Sequence, residues 1–129
     1  MSKKKTITAL YAQELIEAWE ANYKQGQLTL WIFLALKESP KTIQQINEYL
    51  AQKTNATISA DDKSIYRSLR RYHDTEMVDS TTSPSSKGGP PLKNYSLTPL
   101  GHTVLVRFVQ RNITILLHNP QIKEILQWK

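Results

Sequence analysis

Lys63, Arg67, Arg70 and Arg71, with Ser64 beside them, are spaced by three and four residues. At about 100° per residue they fall within one arc of about 120° on a helix. Guanidinium and ammonium groups presented together in this way can hold phosphate oxygens, and an arginine fork also matches the two acceptors on a guanine edge. The competing reading is a solvated helix surface. Residues 60–76 are formally neutral, with Asp61, Asp62, Asp74 and Glu76 balancing the four cations, and Lys63 and Arg67 can reach Asp62 or Asp74. Arrangement, not total charge, separates the two. A second cationic feature lies downstream, where Lys87-Gly88-Gly89 sets a lysine in a flexible tip able to approach phosphate closely. Lys93 follows on the return segment.

Other chemistries find little support. The 129 residues contain no cysteine, which removes disulfides, thiolate nucleophiles and cysteine-containing zinc patterns. His73, His102 and His118 are scattered, and none stands in a metal-binding pattern or beside a nucleophile with an acidic orienter. Gly88-Gly89-Pro90-Pro91 reads as a turn rather than a phosphate cradle, and Asp61-Asp62 suit a helix N-terminus better than a metal. No enzyme, cofactor or metal is expected. The formal charge of +6 instead favours a polyanionic partner. Leu28 to Leu36, the longest apolar stretch, is about half of what a membrane-spanning helix needs, and Glu14, Glu17 and Glu20 interrupt any secretory signal. A cytoplasmic protein without membrane contact is expected.

The elements that must position the basic face follow from periodicity. Leu10, Tyr11, Leu15, Ile16, Ala18, Trp19 and Tyr23 predict an amphipathic helix ended by Gly26, and a nearly all-apolar second helix runs from Gln27 or Leu28 to Glu38, stopped by Ser39-Pro40. Thr42 and Gln45 form a capping box for a third helix, with Ile43, Ile46, Tyr49 and Leu50 inward, that ends near Thr54. Ser59 is the expected N-cap of a fourth, which carries Asp61 and Asp62 in its first turn and buries Ile65, Leu69 and Tyr72 before ending near Thr75. Two β-prone runs around a Pro/Gly-rich tip make a hairpin over residues 77–97, in which Tyr95 packs beneath the surface. Thr98-Pro99 begins a long apolar helix to about His118, and Asn119-Pro120 begins a short last one.

This order describes a mostly α fold with a small β-hairpin: a winged helix-turn-helix with extra N-terminal and C-terminal helices. The expected division is an N-terminal helix over 1–26, a DNA-binding unit over 27–98 and C-terminal dimerisation helices over 99–129. The runs ISADDKSIYRSLRRYHDTEMV and SSKGGPPLKNYSLTPLGHTVL resemble the PadR family of winged-helix transcriptional regulators. Ser64, Ile65, Tyr66, Leu69, Arg70, Arg71 and Tyr72 carry the recognition-helix pattern, and Gly89, Pro91, Tyr95, Leu97, Thr98 and Gly101 carry the wing pattern. The resemblance extends over roughly residues 27–110.

It implies a homodimer on a double-stranded DNA operator, acting as a repressor, with the helix over 60–75 in the major groove. Lys63, Arg67, Arg70 and Arg71 would then contact phosphates or bases, Ser64 and Tyr66 would donate hydrogen bonds, and Lys87 and Lys93 would hold the wing to the backbone. The residues support a dimer independently. The helix after Pro99 is apolar over more of its circumference than one small domain covers, and Trp19, Leu105, Phe108, Val109, Leu116 and Trp128 are the expected interface, with burial in the monomer's own core as the competing destination. An alternative is a winged helix that docks a protein through this apolar helix. A small aromatic effector near Trp19, Trp31 and Trp128 is compatible with the main reading, although tryptophans more often anchor cores and interfaces.

Overall fold

In the computed structural model, which describes residues 3–85 and 88–128, the chain opens with one helix, α1, over Lys3–Glu38. The break expected at Gly26 does not occur, and the boundary drawn there falls inside the helix. An isolated glycine weakens a helix by about 1 kcal/mol relative to alanine, which good helix formers on both sides can absorb, whereas the proline at position 40 cannot be absorbed. At 36 residues α1 is about 54 Å long. Residues 9–23 are exposed all round, while Ile32, Phe33, Ala35 and Leu36 are buried, so its C-terminal part belongs to the core and the rest lies outside it.

Lys41 closes the end of α1. Its buried Nζ donates to the Ala35 carbonyl (2.7 Å) and Ser39 Oγ (2.9 Å) and pairs with Glu38 (3.1 Å). Thr42 then starts α2, Ile43–Lys53, with both bonds of the expected capping box formed. Ile46 and Leu50 face inward.

The next helix, α3, spans Asp62–Asp74. Its N-cap is Asp61, which accepts from the Ser64 N–H at 2.7 Å, and not Ser59 as expected from the sequence. Both residue types cap well. Ile58 is buried and Ala60 packs against the core, and this link leaves Asp61 as the last extended residue before the helix. Ile65, Ser68, Leu69 and Tyr72 are buried along one face. The helix ends in a left-handed turn at Glu76 (φ 65°), where Glu76 N–H bonds to the His73 carbonyl and Met77 N–H to the Tyr72 carbonyl.

Strands β1 (Val78–Ser83) and β2 (Leu92–Leu97) pair antiparallel in the register Val78↔Leu97 to Ser83↔Leu92. Lys41 and Tyr95 exchange both backbone hydrogen bonds (2.9 and 2.8 Å), which fixes the hairpin to the link between α1 and α2. Thr98 and Pro99 begin α4, Pro99–Phe108. The helix expected to continue smoothly to residue 118 instead passes through a π-helical turn at Val109–Ile113 before α5, Thr114–Leu117. Asn112 Nδ2 donates to the Phe108 carbonyl and Thr114 Oγ1 to the Val109 carbonyl, so side chains take up carbonyls around the widened turn. Asn119 caps the last helix, α6, Pro120–Leu126.

The core gathers Ile32, Ile46, Leu50, Ile65, Leu69 and Val78, with the rings of Phe33 and Tyr72 meeting edge-to-face at 4.9 Å. Among the described residues no helix is long and apolar enough to cross a membrane.

Candidate nucleic-acid interface

Burial of Ile65, Leu69 and Tyr72 against α1 and α2 dictates which side of α3 meets solvent. Lys63, Tyr66, Arg67, Arg70 and Arg71 are exposed and Ser64 is half-buried. The structure therefore brings these six sequence-derived candidates together on one helix.

Two of the acids that would make this an ordinary ion-paired surface, Asp61 and Asp62, are engaged otherwise. Asp61 is the cap, and its hydrogen bonds from Ser64, helped by nearby Arg67 and Lys63, hold its carboxyl below the ordinary value of 3.8. Asp62 accepts from Asn47 Nδ2 at 2.6 Å, which ties α2 to α3. Arg67 and Arg71 make long hydrogen bonds to Ser64 Oγ and Ser68 Oγ, both 3.4 Å. Among the described residues none of the four cations of α3 forms a salt bridge. The face is a set of charge-bearing donors that make no salt bridge, an arrangement open to phosphate oxygens and base acceptors.

The hairpin stands beside this face. Lys93 is exposed on β2 and shares with Tyr66 and Arg70 a cleft between α3 and the two strands. Tyr95 is buried beneath the hairpin, as its strand position implies, and burial pushes its phenol above the ordinary 10.0, with Tyr66 adding to the shift. Lys87, the expected tip cation, lies outside the described residues. Two features escaped sequence reasoning. The Asn47–Asp62 bond joins residues 15 apart and has no local signature. His73, scattered from the other histidines in the sequence, is exposed and lines the cleft; its position three residues after Arg70 was the available signal.

The apolar candidates divide. Leu105 is 3% exposed and belongs to the monomer's own core, with half-buried Val109 packed against that core. Phe108 and Leu116 are exposed, and Trp19 and Trp128 are 75% and 70% exposed. Trp31 packs on the core rather than joining the other two tryptophans at the surface.

The family model described as transcriptional regulator PadR-like matches residues 32–107. A PadR family transcriptional regulator of Eggerthella lenta is similar in structure (TM-score 0.66) at 19% identity, with 93% of this chain and 99% of that one covered. A PadR-like transcriptional regulator of Bacillus cereus has a TM-score of 0.63 at 22% identity, with 81% and 96% covered. Bacillus subtilis PadR, solved with operator DNA, has a TM-score of 0.58 at 22% identity over 64% of this chain and 46% of that longer protein. These neighbours share the winged-helix architecture. No curated protein matches the chain significantly in sequence.

Proposed function

We propose, for a chain that belongs to the PadR-like family of transcriptional regulators, that it binds double-stranded DNA with α3 in the major groove and the β1–β2 hairpin as a wing over the adjoining backbone. The observation that carries this reading is the exposed face of Lys63, Arg67, Arg70 and Arg71, which makes no salt bridge among the described residues while the neighbouring Asp61 and Asp62 are held by Ser64 and Asn47. A structurally similar protein, Bacillus subtilis PadR, was solved with operator DNA.

The bound form in this reading is a homodimer. Trp19 on α1 and Phe108, Leu116 and Trp128 after the wing are large apolar side chains in water. A second copy is the partner that covers all of them in one symmetric step. Two copies of α3 would then address half-sites about one helical turn apart. Occupying such a site blocks other proteins from the same DNA, so repression is the regulatory outcome that this reading favours, in the cytoplasm where that DNA lies.

Fluorescence anisotropy with genomic duplex fragments at several salt concentrations tests it, comparing wild type with Arg70→Ala/Arg71→Ala after both are shown to be folded. Selective binding that weakens steeply with salt and is lost in the double variant is the expected result. A folded wild type that binds no fragment even at low salt overturns the reading and directs attention to protein docking through the apolar surface.

A further inference from the structure

A cleft of about 350 Å3 separates α3 from the hairpin. Arg70, His73 and Asp74 reach it from the helix, Ser80 from β1 and Lys93 from β2. Arg70 and Lys93 make no salt bridge among the described residues, and no acceptor occupies the side chain of His73. Two permanent cations from different elements, an imidazole and a hydroxyl thus converge on one space that holds a single carboxylate. That donor set suits an oxyanion bearing negative charge.

We infer that this cleft is a subsite for one backbone phosphate of the nucleic acid, with Arg70 and Lys93 as its permanent cations and His73 as a ligand that strengthens it on acidification. The inference rests on the DNA-binding reading. The phosphate backbone is the ridge between a major groove and the minor groove beside it. With α3 in the first and the wing over the second, the space between helix and hairpin faces that ridge. Arg70 grips from the groove side and Lys93 from the wing side. Ser80 adds a neutral donor.

His73 makes the subsite sensitive to protons. Imidazole is the side chain that ordinarily changes charge between about pH 5 and pH 8, and a phosphate beside it favours the charged form. Binding DNA then takes up a proton at His73, and by linkage the affinity rises as pH falls. Arg70, Asp74 and Lys93 are the other charged groups that line the cleft with His73. Tyr66 and the buried Tyr95 also line it, and burial raises the Tyr95 phenol above the ordinary 10.0. Bound phosphate changes the balance toward the cation.

The test is anisotropy with a random-sequence duplex about three helical turns long, at constant ionic strength, from about pH 8 to about pH 6. Wild type should bind roughly three- to tenfold more tightly at the lower pH, the gain expected from one new charge-assisted contact. His73→Gln should lose the gain on acidification. Lys93→Gln should bind more weakly throughout, with the salt dependence reduced by about one unit of slope. A wild type that binds without pH dependence, or a His73→Gln variant that keeps the full dependence, overturns this inference and leaves the DNA reading standing. A folded wild type that binds no duplex at any pH overturns both.

Discussion

The hydroxyl of Thr98 donates to the carbonyl of Glu76 at 2.6 Å while accepting from the Gly101 N–H at 3.0 Å. One side chain thereby caps α4 and anchors the left-handed turn that ends α3. A second bond, Thr98 N–H to the Met77 carbonyl at 3.1 Å, runs parallel to it. The three segments that position the basic face, namely the end of the helix, the start of the wing and the helix behind them, meet at this residue. Thr98→Ala removes the cap and the anchor together and should cost about 1–3 kcal/mol in chemical denaturation. A variant as stable as wild type would remove Thr98 from this role.

Gly101 shows how closely α4 approaches that turn. A Cβ there would clash with the Met77 carbonyl group, whose oxygen and carbon are backbone atoms that cannot rotate away. Gly101→Ala must push α4 from the start of the wing and should destabilise by about 3 kcal/mol. Gly26 is the contrasting case, since it lies within α1 and a Cβ there meets nothing within 4 Å. Gly26→Ala should stabilise α1 by about 0.5–1 kcal/mol. Thermal melts of the two variants should move in opposite directions.

Gly26 and Asp61 also show where sequence reasoning ran out. The turns, caps and strands marked by proline, threonine or clustered glycine were readable because each imposes a local geometry: Pro40 ended α1, Thr42 capped α2 and Thr98-Pro99 began α4. An isolated glycine imposes none, and two good capping residues two positions apart differ only in what packs beside them. The basic face of α3 was readable because the buried set Ile65, Leu69 and Tyr72 fixed the helix phase. On α4 Val104, Leu105, Val106 and Phe108 spread apolar side chains over more than one face, so periodicity could not separate Leu105, which enters the core, from Phe108, which does not. The cleft holding His73 exists only after the hairpin folds back beside α3. No spacing along the chain encodes that approach.

Asp61 carries a pH prediction. Its carboxyl is held below the ordinary 3.8 mainly by the hydrogen bond from the Ser64 backbone N–H. A depressed folded-state value means that the stabilisation is present above the ordinary carboxylate range and is lost as pH falls through the lowered value. Asp61→Ala should therefore unfold at lower denaturant than wild type near neutral pH, and the gap should narrow in strong acid. Asp61→Asn keeps a capping oxygen without the charge and should show less of this pH dependence. Denaturation midpoints for the three proteins at neutral pH and well below the carboxylate range decide it. A gap that widens with acid would contradict the assigned cause.

The apolar surface predicts a separation between association and folding. Leu116 and Trp128 are exposed and outside the core, so replacing either by aspartate should leave the monomer folded. In an interface between two copies the same change buries a charge against apolar neighbours. Each substitution should weaken association by about 2 kcal/mol or more, roughly thirtyfold, and the pair should give monomers by sedimentation at concentrations where wild type is dimeric. Leu105→Ala is the control, because a core leucine should cost about 2–5 kcal/mol of folding stability. Monomeric Leu116→Asp/Trp128→Asp protein with a wild-type melt in dilute solution would assign these residues to the dimer. A wild type that sediments as a monomer at every concentration would leave the apolar surface to a different partner.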